Sequence, residues 1–276
     1  MVRARRNLSF MHPIERLRYV ARAGDDAPSM LVRESAAALA SFSRDPAALV
    51  TACRRLVDRQ AHAASVWWLA ARVLVAAEPA YEAWRAADAV DEDTTPIHLI
   101  DLLPPDAKVL VLGWPETIAP AIAKRGDLDV FVVDTLDQGG GFVRRLERAG
   151  LEPTLVDERG LGAAAAFVDI VLLDALGIGG NSIAALSGSH AAAAVAKSSG
   201  KQVWAAAGVG RVLPGRLWDT YAGRLTEASD AWDNELELVP LSLIDSVVGP
   251  WGALAPDVAV TLADCPVAPE LLKALD

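Results

Sequence analysis

The sequence predicts an α/β protein in which an N-terminal helical region, residues 1–95, precedes a domain of mainly parallel strands, residues 96–276. Three observations carry this. From His12 to Ala89 apolar residues return every three or four positions, the period of a helix with one buried face. The stretch Asp91-Glu92-Asp93-Thr94-Thr95-Pro96 has no period and marks a boundary. Beyond it, short runs rich in β-branched residues alternate with helical segments, as right-handed βαβ units require when both faces of the sheet are covered.

His12-Pro13 opens a first helix through Ile14, Leu17 and Val20, which Asp25-Asp26-Ala27-Pro28-Ser29 interrupts. An Ala-rich second helix runs from Met30 to Ser41, with small residues that allow close packing. At Ser43-Arg44-Asp45-Pro46 the chain stops and restarts. Asp45 is suited to the N-cap and Pro46 to the first helical position, where its missing N–H costs nothing. The third helix then carries Leu49, Cys53, Leu56 and Val57; a fourth covers Ser65 to Ala77, a fifth Pro79 to Val90, and a short one follows the acidic stretch. Strands are expected at Lys108–Leu112, Asp129–Val133, Glu152–Val156, Ile170–Leu173 and Gln202–Ala206, which makes the second domain Rossmann-like. Between the fourth strand and His190 the sequence reads as a Gly-rich loop leading into a small-residue helix. Trp67, Trp68, Trp84, Trp204, Trp218, Trp232 and Trp251 read mostly as structural residues.

Composition narrows the function. At 276 residues and 53% hydrophobic the chain can bury a full core. Its longest apolar runs, such as Gly162 to Val168, fall short of the roughly 18–20 residues that span a bilayer, so no membrane partner is expected. The start, MVRARRNLSF, is basic and lacks an apolar signal core, and the only cysteines are the distant Cys53 and Cys265. Both features fit a reducing cytoplasm, without a disulfide framework or a metal knuckle. Residues 1–90 hold 13 basic against 9 acidic residues and residues 91–276 hold 13 against 27. The acidic second part argues against a nucleic-acid surface there. Arg3, Arg5, Arg6, Arg54 and Arg55 in the first part could meet an acidic partner, although a solvated helix face is their commoner role.

In an open parallel sheet, ligands meet the carboxyl ends of the strands, so the loops there are the candidate site. The first strand leads into Gly113-Trp114-Pro115-Glu116-Thr117. The second leads into Asp134-Thr135-Leu136-Asp137-Gln138-Gly139-Gly140-Gly141, where glycines at a helix start let N–H groups approach an anion. That run matches neither the dinucleotide fingerprint nor the P-loop, and a plain surface loop is its bland alternative. After the fourth strand stand Asp174 and then Asn181, Gly188 and Ser189, a carboxylate with polar donors that suits proton transfer or sugar hydroxyls. Asp174 could equally cap a helix, and His190 suits a packed or solvent-edge role. Arg211, after the fifth strand, could clamp a phosphate. No cofactor is called for.

These segments resemble the family of translation initiation factor 2B alpha, beta and delta subunits, which includes methylthioribose-1-phosphate isomerase and ribose-1,5-bisphosphate isomerase. Val133-Asp134-Thr135 through Gln138-Gly139 and Arg145-Leu146 is similar to the family's acidic Gln-Gly loop, and Gly150-Leu151-Glu152-Pro153-Thr154-Leu155 to the segment after it. Asp169 through Asn181 and Gly188-Ser189 resembles the family's "G-A-D" block, and Glu237-Leu238-Val239-Pro240 with Leu243-Ile244-Asp245 its closing block. The resemblance implies a phosphorylated small-molecule ligand held by Gln138, Gly139, Gly140, Asn181, Gly188, Ser189 and Arg211, with Asp174 as the catalytic candidate, and it implies a homodimer. In the isomerases a cysteine after the first strand and the block's aspartate move protons. Here Gly113 stands near the cysteine's place, Leu176 at the aspartate's simplest equivalent and Ala185-Leu186 at an Asn-Lys pair, with Asp174 two positions early. A regulatory or catalytically degenerate protein that binds a sugar phosphate or nucleotide is therefore expected, with an aldose–ketose isomerase as the alternative.

Overall fold

The computed structural model describes residues 28–225 and 230–272. The helix expected over His12–Val20, and Arg3, Arg5 and Arg6, lie outside the described residues. Among the described residues five helices come first: α1 (Pro28–Ala40), α2 (Pro46–Arg59), α3 (Ala64–Val75), α4 (Pro79–Asp91) and α5 (Thr95–Leu102). Asp45 caps α2 as expected, its carboxylate accepting the Ala48 N–H at 3.0 Å. Leu49, Ala52, Cys53, Leu56 and Val57 form the buried stripe of α2. By contrast α3 is buried on nearly every face, from Ala64 through Ala71 and at Val73, as a helix surrounded by other elements must be.

The sheet domain follows as β1 (Lys108–Leu112), α6 (Ala119–Lys124), β2 (Asp129–Val133), α7 (Gly139–Arg148), β3 (Thr154–Val156), α8 (Leu161–Phe167), β4 (Ile170–Asp174), β5 (Gly177–Gly179), β6 (Ser182–Leu186), α9 (Ser189–Ser198), β7 (Gln202–Ala206), α10 (Gly215–Leu225), β8 (Leu236–Pro240), β9 (Ser246–Gly249), β10 (Gly252–Leu254) and α11 (Pro256–Ala259). Seven strands form one sheet in the order β10-β9-β7-β4-β1-β2-β3, parallel except for β10 against β9. Setting β10 aside, this is the doubly wound order of the Rossmann fold, with the chain reversing direction across the sheet between β1 and β4. Alternate strand residues serve opposite faces. Leu110, Leu112, Val171 and Leu173 join the core under α9, whereas Val109, Val111, Ile170 and Leu172 join the core that holds Leu99, Ile118, Ile122 and Phe142.

One expectation is corrected. The loop and small-residue helix expected before His190 are instead the hairpin β5–β6, and β6 pairs along its length with β8 in a separate antiparallel sheet. Gly180-Asn181 makes the two-residue turn, with Gly180 in the left-handed region at φ 53°. Alanine favours helix locally by only tenths of a kcal/mol, and the ladder to β8 outweighs it. Helix α9 begins only at Ser189.

The core of the helical region is completed from far along the chain. Leu217, Trp218, Tyr221 and Leu225 of α10, with Cys265, Ala268 and Leu271, pack against α1, α2, α3 and α4. Trp67 of α3 meets Tyr221 edge to face at 6.0 Å, and the Tyr221 hydroxyl donates to the His62 carbonyl at 3.0 Å. Trp68 Nε1 donates to the Asp264 carbonyl at 3.2 Å, and Arg72 forms an ion pair with the Asp264 carboxylate at 2.5 Å. No helix among the described residues is long and apolar enough to cross a membrane.

Trp67→Ala is expected to cost about 3–5 kcal/mol of stability in denaturant titrations, because it empties the centre of this core; a cost near zero would show that α3 does not organise it. Burial pushes the thiols of Cys53 and Cys265 up to about 12 from 9.0. The folded chain thus keeps protons that the unfolded chain releases. Stability supplied by the protonated thiols is complete below pH 9.0 and falls as pH rises from there toward about 12. Thiol titration of the native protein at pH 8 is expected to find neither cysteine reactive and unfolding to release both.

Candidate functional site

The strand order places a crevice at the carboxyl ends of β1 and β4, and the sequence supplies a loop from each of three strands to line it. After β1 the chain turns at Gly113 (φ 57°) through Trp114 to Thr117, β4 ends on Asp174, and β7 leads into Gly208–Arg211. Asp174 binds the other two loops. Its Oδ2 accepts the Thr117 N–H at 2.9 Å, and its Oδ1 accepts from Arg211 Nη1 at 2.6 Å. The same Nη1 donates to the Ala175 carbonyl at 2.7 Å. The Arg211 and Asp174 side chains are only 6% and 12% exposed, so each charge depends on the other for compensation.

The acidic stretch before α5 reaches the same place. Asp93 Oδ1 accepts the N–H and hydroxyl of Thr95 at 2.9 and 2.6 Å, securing the start of α5, while Oδ2 accepts the Val209 N–H at 2.9 Å. A side chain at Gly208 would collide with that carboxylate, and one at Gly210 (φ 78°) would come within 2.8 Å of the Trp68 ring. Two glycines thus let the loop carrying Arg211 lie flat between Asp93 and α3.

Between these parts lies a cleft of about 340 Å³, lined by Ser65, Asp91, Asp93, Trp114, Glu116, Thr117, Arg145 and Arg211 among others. Asp91 is engaged by Arg33, whose Nε lies 2.8 Å from its Oδ2. Trp114 is half-buried and packs at 5.8 Å on Phe142 of α7, with the Arg145 guanidinium 5.8 Å from its ring centre. Among the described residues no group of His, Cys, Asp and Glu side chains is arranged to hold a metal ion.

Of the residues singled out from the sequence, Asp174 and Arg211 come together, and Arg211 lines the cleft. Asp174, Gln138, Gly139, Gly140, Asn181, Gly188 and Ser189 do not line it, whereas Trp114, Glu116 and Thr117 of the loop expected after the first strand do. The Gln138 amide lies against the turn at Gly113, Gly139 packs on the Val133 carbonyl, and the Gly140 N–H donates to Asp134 Oδ1 at 3.0 Å. A carboxylate of the same loop thus takes a donor expected to serve an anion. Leu136 and Asp137 in this loop stand at φ 54° and 58°, strained values for residues with a Cβ. Gly188 packs beside Leu112, Ser189 is buried, and the next N–H, of His190, donates to Glu237 Oε1 at 2.8 Å. Asn181 is exposed at the hairpin turn, its carbonyl accepting the Leu241 N–H. Sequence reasoning placed Trp114 in a candidate loop without giving it a role, and missed Asp93 and Arg145 as site residues. An Asp two places before Thr95-Pro96 is a capping signal, so Asp93 was visible in principle.

No family model and no curated protein sequence matches the chain. Solved structures match its fold. Translation initiation factor eIF-2B from Pyrococcus horikoshii OT3 aligns with a TM-score of 0.75 at 15% identity over 90% of this chain and 98% of that one. The eIF2B beta subunit from Chaetomium thermophilum gives 0.73 at 17% identity over 98% and 97%. The 5-methylthioribose 1-phosphate isomerase from Pyrococcus horikoshii OT3 gives 0.62 at 15% identity over 88% and 84%. The chain therefore has the fold that eIF-2B subunits and this sugar-phosphate isomerase share.

Proposed function

We propose that this chain is a cytoplasmic, initiation-factor-2B-like protein that binds a phosphorylated sugar or nucleotide in the cleft and does not turn it over. The observation that carries this is the buried Arg211, held by Asp174 at the point where the sheet order reverses. A guanidinium fixed before the ligand arrives loses little freedom on binding an anion and suits bidentate contact with phosphate. Arg145 adds a second positive group to the lining of the cleft, and Ser65 and Thr117 are suited to sugar hydroxyls.

The same pair argues against the isomerase alternative. A base that removes a proton from a sugar carbon must reach that carbon, and Asp174 is only 12% exposed, turns its two oxygens to Thr117 and Arg211 and does not line the cleft. Neither thiol helps, because Cys53 and Cys265 belong to the core of the helical region. Pairing with a second copy belongs to the same proposal. The eIF2B beta and delta subunits of C. thermophilum form a tetrameric beta2-delta2 complex.

Ribose 5-phosphate is expected to raise the stability of the chain by about 2.7 kcal/mol at a hundredfold excess over its Kd, and Arg145→Ala to weaken that effect. No stabilisation by any phosphorylated ligand would sink the proposal. Asp174→Ala is expected to cost about 3–5 kcal/mol in denaturant titrations, since it leaves Arg211 buried without a counter-charge. Methylthioribose 1-phosphate and ribose 1,5-bisphosphate are expected to remain unconverted; turnover that Asp174→Asn abolishes would restore the isomerase alternative.

A further inference from the structure

Acidic side chains outnumber basic ones in the lining of a cleft proposed to take an anion. Among the described residues Asp91, Asp93 and Glu116 stand there with Arg145 and Arg211. A carboxylate left at full strength repels a phosphate as much as an arginine at the same distance attracts it, so the compensation of each acid decides what can enter. Asp93 meets three donors, the N–H and hydroxyl of Thr95 and the N–H of Val209. Asp91 is placed less favourably. It is the last residue of α4, where the carbonyl end of the helix is already negative, and the last turn of α4 holds no basic residue.

The compensating charge comes from another helix. Arg33 of α1 donates from Nε to Asp91 Oδ2 at 2.8 Å, its Nη2 bonds the same oxygen, and Nη2 also donates to Asp88 Oδ1 at 3.1 Å. Two acids three positions apart on α4 are thus met by one guanidinium. Arg33 is not part of the lining, whereas Ser29, about one helical turn before it on α1, is. We infer that Arg33 is a positioning residue for the anion site: it acts through Asp91, cancelling that carboxylate so that the positive charge of Arg145 prevails where a phosphorylated ligand enters. This rests on the proposed binding of a phosphorylated ligand and specifies how the cleft is kept fit for it. The Arg33 and Asp91 side chains are 45% and 36% exposed, so as a staple between α1 and α4 the pair contributes little to stability. Its larger effect is on the charge of the cleft.

Calorimetric titration of the full chain with ribose 5-phosphate, beside denaturant titration of the same variants, tests this. In about 10 mM salt, where screening is weak, Arg33→Met is expected to bind about fivefold more weakly than the wild type, the order of effect that one uncompensated charge has across partly wet surroundings. Arg33→Met combined with Asp91→Asn is expected to regain wild-type affinity, Arg33→Lys to keep most of it, and Asp91→Asn alone to bind at least as tightly as the wild type. Arg85→Met removes the same charge from an exposed site on α4, where Arg85 pairs with Glu82 at 3.6 Å, and is expected to leave affinity unchanged. In about 1 M salt the deficit of Arg33→Met is expected to shrink toward none, and its denaturation midpoint to stay close to that of the wild type. Wild-type affinity in Arg33→Met overturns the inference and leaves phosphate binding standing. A deficit that Asp91→Asn does not repair, or that salt does not reduce, overturns it as well, since either marks a role in shape rather than charge. If Arg33→Met does not fold, Asp91→Asn decides, and weaker binding than the wild type then overturns the inference. Absence of binding by the wild type overturns both.

Discussion

Burying a guanidinium costs several kcal/mol unless its charge and donors are met, and the centre of this molecule is arranged around meeting that cost at Arg211. Asp174 supplies the charge from the end of β4, Ala175 an acceptor, and Thr117 secures the second oxygen of Asp174 from the turn after β1. Three loops from three strands are thus held by one ion pair at the point where a doubly wound sheet opens a crevice. The turn that carries Trp114 is tied to that pair through the Thr117 N–H.

The pair can hold its geometry because the surroundings give the Arg211 loop little choice of path. Asp93 fixes Val209 from the linker, and Trp68 lies under Gly210 from α3. Helix α3 is itself enclosed by α10 and the segment carrying Cys265 and Leu271, so its position depends on residues from both ends of the described chain. The helical region therefore forms one wall of the cleft and also backs the loop that presents its positive charge.

The alternation of β-branched runs gave away the sheet. Lys108–Leu112, Asp129–Val133 and Gln202–Ala206 are strands over those residues, because fully buried parallel strands leave a dense apolar signature. The helix start at Asp45-Pro46 was equally legible, since a cap is a local event. The hairpin β5–β6 was not legible: Ala184 and Ala185 become strand only through pairing with Leu238 and Glu237, some fifty residues on. The site was half legible. Asp174 and Arg211 were visible as polar groups at strand ends, but their mutual neutralisation is a contact across 37 positions that spacing does not encode. Asp93 carried a capping signal for the helix that follows it, but its reach to the Val209 N–H is a contact with a backbone group 116 positions on, which leaves no trace in a sequence. The glycines at 139 and 140 had the composition of an anion site, and Asp134, only a few residues earlier, takes up a donor there.

The account stands or falls on what Arg211 does when ligand is present. A crystal structure of the chain soaked with ribose 5-phosphate tests this most directly. The phosphate is expected against Arg211 in the cleft, with the Arg211–Asp174 pair intact. A phosphate lodged instead at the start of α7 or α9, or a ligand that draws Asp174 away from Arg211 toward its sugar carbons, would contradict it.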